Sequence, residues 1–350
     1  MGVADTARLI DSGRDVRAVP ARWIDLGHVA PSSFHATYAG LAAAQTDGAP
    51  PIVVWARVAP HISLGRHQDA GAELKCPLAV PVVRRPLGGG AAWIDESQHC
   101  YVLIMPLARL KGRPSEWFGW GLAPAVRTYA AFGLNVVRDG QDLSLSGRKL
   151  AGSGAATIGT CAVLGSSFLL RFPVERFAAC IAAPSQAFTA WLVRALRDCL
   201  TDWESHLPAP SEEALRQAFR QALAETLGWT LAEDAVSPAE AHAIAQGCGE
   251  WEAGEQGPRA RRVPYGIKVK RDVFLTERHV GDRFARVLTR SGRFEAVALS
   301  AGLPEAADVL LRACPPAFDA LRRSLAGFVP REEAASWARL ILETACFHSD

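Results

Sequence analysis

Asp142 and Lys149 stand in the segment Gln141-Asp142-Leu143-Ser144-Leu145-Ser146-Gly147-Arg148-Lys149-Leu150-Ala151-Gly152-Ser153-Gly154. A lysine between an arginine and a glycine-rich bend can aim a compact positive charge at a phosphate, or at negative charge developing on an acyl group. Asp142 can orient that lysine or hold a metal ion. Upstream, Val83-Arg84-Arg85-Pro86-Leu87-Gly88-Gly89-Gly90-Ala91-Ala92-Trp93-Ile94-Asp95 leads two adjacent guanidiniums into three consecutive glycines. Glycine removes the Cβ from an approach surface, and the forked donors of arginine match phosphate or carboxylate oxygens. Taken alone, each segment also fits a solvated basic hairpin tip.

The elements that must position these groups are legible on either side. Pro81-Val82-Val83 and Cys100-Tyr101-Val102-Leu103-Ile104-Met105 read as buried strands, with the glycine loop between them. This strand–loop–strand element differs from the strand–loop–helix of a Walker or Rossmann site. Leu143 and Leu145 predict a short strand ending at Gly147, with Lys149 in the loop beyond it. Trp23–Leu26 and Ile52–Ala56 read as further strands. Ser32 or Ser33 is the expected cap of a helix from Phe34 to about Gln45. Helical spacing also covers Ser115–Phe132 and Gln186–Leu200, and a helix capped by Ser211 and stopped at Gly228. Cys161–Phe172 reads as two strand pieces around Gly165.

Towards the end of the chain, Trp251–Arg262 is polar and glycine-bearing and reads as a loop. Ile267–Lys270, Phe284–Leu288 and Phe294–Leu299 alternate like one-faced strands, the last two joined by a Ser291-Gly292 turn. Helices are expected over about 305–313, 316–325 and 331–347. The mixture of short strands and helices predicts an α+β protein, with a further small α+β region beyond a loop at 251–264.

Composition narrows the class. The 350 residues carry a net charge of +2, which gives no reason to expect nucleic-acid binding, and 49% are apolar, as in a compact globular protein. Neither a secretory leader nor a stretch of membrane-spanning length is visible. The eight cysteines show no paired spacing of a metal or disulfide framework, so reduced thiols and a cytoplasmic location are expected.

Together, Arg84–Asp95 and Gln141–Gly154 resemble the lipoate–protein ligase A type of the biotin/lipoate ligase superfamily. The family's glycine loop reads approximately Arg-Arg-x-(Thr/Ser)-Gly-Gly-Gly-Ala-Val-x-His-Asp, and its lysine segment Asn-Asp-Leu…Gly-(Arg/Lys)-Lys-(Ile/Val)-x-Gly-Ser-Ala. A third match, His61-Ile62-Ser63-Leu64-Gly65-Arg66-His67-Gln68, lies upstream in the family's order. The resemblance spans residues from about 20 to 230 and implies a catalytic domain over 20–235, of mixed and antiparallel sheets packed with helices, followed by a small C-terminal α+β accessory domain over 236–350. It departs at Ile94, where the family has histidine, at Gly140, where it has a basic residue, and at Leu164-Gly165-Ser166, where it often has His-Gly-Thr. His35 stands where the family has asparagine, and reads as a packed histidine.

The resemblance implies a ligase that activates lipoate with ATP and magnesium and passes the lipoyl group to a lysine of a lipoyl-carrier domain. Lys149 would then be the central catalytic residue, with Asp142 orienting it or holding magnesium. Arg84, Arg85, Gly88, Gly89, Gly90, Ala91, Asp95, Gly152 and Ser153 would contact ATP or lipoyl-AMP. Ser63, Leu64, Gly65, Arg66 and Gln68 would shape the acyl pocket. Neither nucleic acid nor membrane is an expected partner. Two other readings stay open: an ATP-independent octanoyl or lipoyl transferase working through a cysteine thioester at Cys161 or Cys100, and a non-catalytic binder of a lipoylated or biotinylated ligand. The Gly-Arg-Gly-Arg loop of a biotin ligase is absent.

Overall fold

A computed structural model describes residues 19–110, 112–251, 261, 263–303 and 310–347. The chain divides into two compact units, one taking its described residues from 1–70, 78–173 and 200–256, the other from 71–77, 174–199 and 257–350.

The first unit is built on a six-stranded sheet in the order β10 (Gly154–Ile158), β11 (Cys161–Leu169), β6 (Gln98–Pro106), β2 (Ile52–Val58), β1 (Val19–Val29) and β12 (Trp229–Glu233). Pairing is antiparallel from β10 to β2 and parallel from β2 to β12. The run Ile52-Val53-Val54-Trp55-Ala56 does not alternate because both of its faces are buried. Trp23, Trp55, Tyr101 and Phe168 project to one face, under α2 (Pro114–Ala131) and α5 (Glu212–Leu227), and Phe219 of α5 meets all four rings. Ile24, Val54, Val102 and Val163 project to the other face, under α1 (Pro31–Ala44). Ser211 caps α5 through the Ala214 N–H, and Gly228 ends it in the left-handed conformation, as expected.

Two smaller sheets lie in the same unit. One orders β4 (Val82–Arg84), β3 (His61–Leu64) and β5 (Ala92–Ile94); the other orders β7 (Val137–Asp139), β8 (Asp142–Leu145) and β9 (Arg148–Ala151). They carry the glycine loop and the lysine segment.

An ion-pair clamp joins β1 to the segment after β12. Arg22 donates to Asp234 and to both carboxylate oxygens of Glu240, at the start of α6 (Pro238–Trp251). Burial pushes the Glu240 carboxyl up, but the Arg22 and Ser237 hydrogen bonds outweigh it and hold it at about 2. Because the folded value lies below the unfolded one, this contribution is present above the ordinary carboxylate range and is lost as pH falls towards 2. Glu240→Gln should therefore melt with a shallower pH dependence than wild type between pH 5 and 2 in thermal scans; parallel curves would show that the clamp contributes nothing.

The second unit is an antiparallel meander of β13 (Gly266–Lys270), β14 (Val273–Val280), β15 (Arg283–Arg290) and β16 (Arg293–Leu299). Its helices are α3 (Val174–Cys180), α4 (Gln186–Cys199), α7 (Phe318–Leu325) and α8 (Arg331–Thr344), with Trp337, Ala338 and Ile341 of α8 in the core with Ala285, Val287 and Val297.

Several local expectations are corrected. Helix α1 begins at Pro31, whose fixed φ suits the first helical position, and Ala30 rather than Ser32 or Ser33 is its N-cap. Strand β11 runs unbroken through Gly165, which stays paired with Val102 while its missing Cβ leaves room for the Leu87 side chain. Strand β14 was not expected, because charges interrupt its alternation. Glu277 is nevertheless buried there, opposite Arg286 on β15 and bonded to it and to the Ser185 hydroxyl. Residues 252–260 of the expected 251–262 loop, Arg262, and most of the helix expected over 305–313 lie outside the described residues; Trp251 closes α6.

Candidate active site

The lysine segment folds as a hairpin. Ser146 and Gly147 both take positive φ (52° and 78°), the two-residue turn whose twist suits antiparallel strands. Lys149 thus lies within strand β9, opposite Ser144, and not in the loop that the sequence suggested. Its main chain is anchored further by Thr201, whose N–H donates to the Lys149 carbonyl at 2.8 Å. The hairpin brings Lys149 Nζ to 2.9 Å from Asp142 Oδ1, with 27% and 16% of the two side chains exposed. The pair is shielded enough to be oriented and open enough to meet a ligand.

Gly152 makes room for this pair. A Cβ there would stand 3.1 Å from Lys149 Nζ and 3.3 Å from its Cε. The bend around Gly152 is tied down by two hydroxyls: Ser153 donates to the Gln141 carbonyl, and Ser166 of β11 donates to the Gly152 carbonyl at 2.9 Å. Ser166 was given no role from the sequence, where it appeared only within the departure from His-Gly-Thr; it is one of two adjacent hydroxyls, with Ser167, in an otherwise apolar strand.

The glycine loop joins β4 to β5 and lies against the same bend. The Gly88 N–H points to the Ala155 carbonyl at 3.4 Å, and a Cβ on Gly154 would meet the Gly88 oxygen at 2.9 Å. The two segments, some sixty residues apart in sequence, therefore share one site. On its other side the loop rests on the end of β3, where a Cβ on Gly65 would come within 2.0 Å of the Gly89 carbonyl oxygen.

The remaining expected residues are placed as follows. Arg84 is buried, one of its Nη atoms donating to the Gln68 carbonyl. Arg85 donates to the carbonyls of Ser63, Gly88 and Gly90. The Asp95 carboxylate accepts from Trp93 Nε1 at 2.7 Å and from the Ser97 N–H at 2.8 Å, closing the turn between β5 and β6. Ser63, Leu64, Gly65 and Gln68 are buried, Gln68 accepting from the Gly65 N–H at 3.1 Å, while Arg66 is exposed. Arg261, in the segment read as a polar loop, is half-buried, donating to the Ala182 carbonyl beside Glu73.

Beneath β3 lies a buried polar chain. His61 Nδ1 sits 2.8 Å from the Ala59 carbonyl, so it carries the proton and leaves Nε2 bare. His35 Nε2–H then donates to that nitrogen at 3.3 Å, and the Tyr38 hydroxyl donates to His35 Nδ1 at 3.0 Å. Burial, then the neighbouring His61 and Arg85, hold His35 well below its ordinary value. Burial likewise lowers His61 to about 4, against the opposing Ala59 bond. Both rings are neutral near pH 7, as a packed His35 requires.

The two candidate nucleophilic cysteines are poorly placed for such a role. Both are buried, Cys100 beside Tyr38 in the core under α1, and burial pushes the thiols up to about 12 for Cys100 and about 11 for Cys161.

Residues 35–227 match the family described as lipoyl protein ligase A/B catalytic domain. No curated protein sequence matches the chain. Among solved structures, similarity extends to an archaeal lipoylation system from Thermoplasma acidophilum, comprising a bipartite lipoate protein ligase and its E2 lipoyl domain (TM-score 0.64, 17% identity, covering 69% of this chain and 99% of that one). Lipoate-protein ligase A bound with ATP is similar at TM-score 0.58 and 17% identity, over 67% of this chain and 99% of that one. P. falciparum LipL1 in complex with lipoate is similar at TM-score 0.52 and 12% identity, over 92% of this chain and 99% of that one. These likenesses establish a shared fold, with mixed and antiparallel sheets packed by helices.

Proposed function

Because the chain belongs to the lipoyl protein ligase A/B catalytic-domain family, we propose that it is an ATP-dependent lipoate–protein ligase. The observation that carries this reading is the Lys149–Asp142 pair, 2.9 Å apart and reached by the bend that touches the glycine loop. A cation so placed suits a reaction in which negative charge builds on a phosphate and then on an acyl oxygen.

In the first step a lipoate carboxylate oxygen attacks the α-phosphorus of ATP. The bond to the β-phosphate oxygen breaks and pyrophosphate leaves with its electron pair. In the second step the neutral ε-amine of a carrier-domain lysine attacks the acyl carbon, AMP leaves with the electrons of the C–O bond, and the surplus amine proton passes to solvent. Lys149 bridges the carbonyl and phosphate oxygens in both steps, and Asp142 keeps its ammonium aimed. The glycine loop covers the acyl-phosphate region, which also limits access of water to the mixed anhydride.

Magnesium would arrive with the nucleotide and neutralise phosphate charge. Asp142 offers one carboxylate, and among the described residues no three histidine, cysteine or acidic side chains form a metal cage. That donor set fits an ion held largely by phosphates and water. On this reading the part of the second unit taken from 257–350 belongs to the accessory domain. The seven free cysteines among the described residues support a reducing compartment such as the cytoplasm, and no helix among those residues is long and apolar enough to cross a membrane.

The test is the intact mass of an apo lipoyl-carrier domain incubated with the protein and lipoate. A lipoyl mass gain that requires Mg-ATP is expected. Gain from an octanoyl-carrier donor without ATP would replace this reading with a thioester transferase, against the burial of Cys100 and Cys161.

A further inference from the structure

Arg85 lies beside the glycine loop, and its donors are taken by protein oxygens. Its Nη2 donates to the carbonyls of Gly88 (2.8 Å) and Gly90 (2.7 Å), Nε donates again to Gly88 (3.2 Å), and Nη1 donates to the Ser63 carbonyl (2.7 Å) and lies 3.4 Å from the Ser63 hydroxyl. Among the described residues it forms no ion pair. The neutral His35 ring approaches the Ser63 hydroxyl at 3.4 Å and adds no charge of its own. Burial of this uncompensated cation draws its pKa down to about 10, so the arrangement carries an electrostatic penalty that loop closure alone does not require.

The consequence follows from peptide geometry. In a trans peptide the carbonyl and the following N–H point in opposite directions. Turning the carbonyls of Gly88 and Gly90 onto Arg85 therefore turns the N–H groups of Gly89 and Ala91 away from it. Neither N–H has a protein acceptor among the described residues. Gly89 holds φ at 101°, a conformation that only glycine adopts readily, and a Cβ there would meet Arg85 Nη2 at 2.8 Å. A cation on the carbonyl side also polarises each peptide, strengthening its N–H as a donor.

We propose that Arg85 is a positioning residue: by clasping the Gly88 and Gly90 carbonyls it presents the Gly89 and Ala91 N–H groups as the pair that receives the negative charge developing on the acyl phosphate. This rests on the ligase reading and assigns the charge-receiving donors to the backbone, with the guanidinium behind them. Preformed donors of this kind act on the transition state more than on ground-state binding.

The test measures lipoate-dependent ATP–pyrophosphate exchange for wild type, Arg85→Lys and Ala91→Pro, with thermal melting to confirm folding. Lysine keeps the charge but cannot bridge two carbonyls in a fork. Arg85→Lys is expected to lower kcat about a hundredfold while KM for ATP changes less than about threefold. Ala91→Pro, which deletes one N–H and leaves Arg85 in place, should lower kcat at least about tenfold. Exchange by Arg85→Lys within about threefold of wild type, or a loss confined to KM, would overturn the proposal, as would full activity of Ala91→Pro. If Arg85→Lys fails to fold, Ala91→Pro decides alone. Absence of exchange in the wild-type protein would instead remove the ligase reading.

Discussion

Lys149→Ala is expected to lower acyl-adenylate formation by about a thousandfold, equivalent to about 4 kcal/mol of lost transition-state stabilisation. The side chain supplies the cation beside the glycine loop, and Asp142 can accept but cannot replace it. Stability should hardly change, because a partly exposed ion pair contributes at most about 1 kcal/mol. Lys149→Arg should not rescue the reaction. Arginine replaces the compact ammonium, 2.9 Å from Asp142, with a planar fork that cannot take up the same single-point contact. Pyrophosphate exchange with lipoate, read beside thermal melting, separates these outcomes. Exchange at the wild-type rate in Lys149→Ala would take this residue out of the chemistry altogether.

Gly65→Ala should be the most damaging of the small substitutions. Its Cβ would stand 2.0 Å from the Gly89 carbonyl oxygen and 2.9 Å from its carbon. Both obstacles are backbone, so no side-chain rotation relieves them, and either β3 or the glycine loop must move. A stability loss of about 1–3 kcal/mol is expected from overpacking. Activity should fall further than stability, by about a hundredfold, since a small misplacement of positioned groups is enough for that. The control is Gly48→Ala, where a Cβ meets nothing within 4 Å. Urea midpoints and exchange rates measured together would check this. Equal behaviour of the two variants would show that the close approach of β3 to the loop has no consequence.

Much of the fold was legible because its signals are local. Ser211 and Gly228 bracket α5 through one cap and one left-handed residue, and each acts within a turn of its own position. The Ser291-Gly292 hairpin is equally local, with φ of 49° and 73°. Strand β14 was hidden for the opposite reason. Glu277 is tolerated in its interior only because Arg286 reaches it from the next strand, and local polarity cannot report a distant partner. Lys149 was assigned to a loop because the turn at Ser146-Gly147 is shorter than the basic stretch around it suggested.

The amino-acid sequence by itself determined the family and named the candidate groups: Lys149 and Asp142, the arginine pair and the triple glycine. Types and short spacings suffice for this, because each motif needs only its own neighbours in the chain. The tertiary structure alone decided which partners those groups meet. Arg85 faces the loop's own carbonyls, Asp95 is engaged in a turn, Ser166 holds the bend beside Lys149, and His35 meets His61 as a neutral pair. The direction of a donor depends on acceptors supplied by other elements, such as the Ser63 carbonyl on β3 for a side chain that follows β4. Those pairings exist only once the strands have found their register.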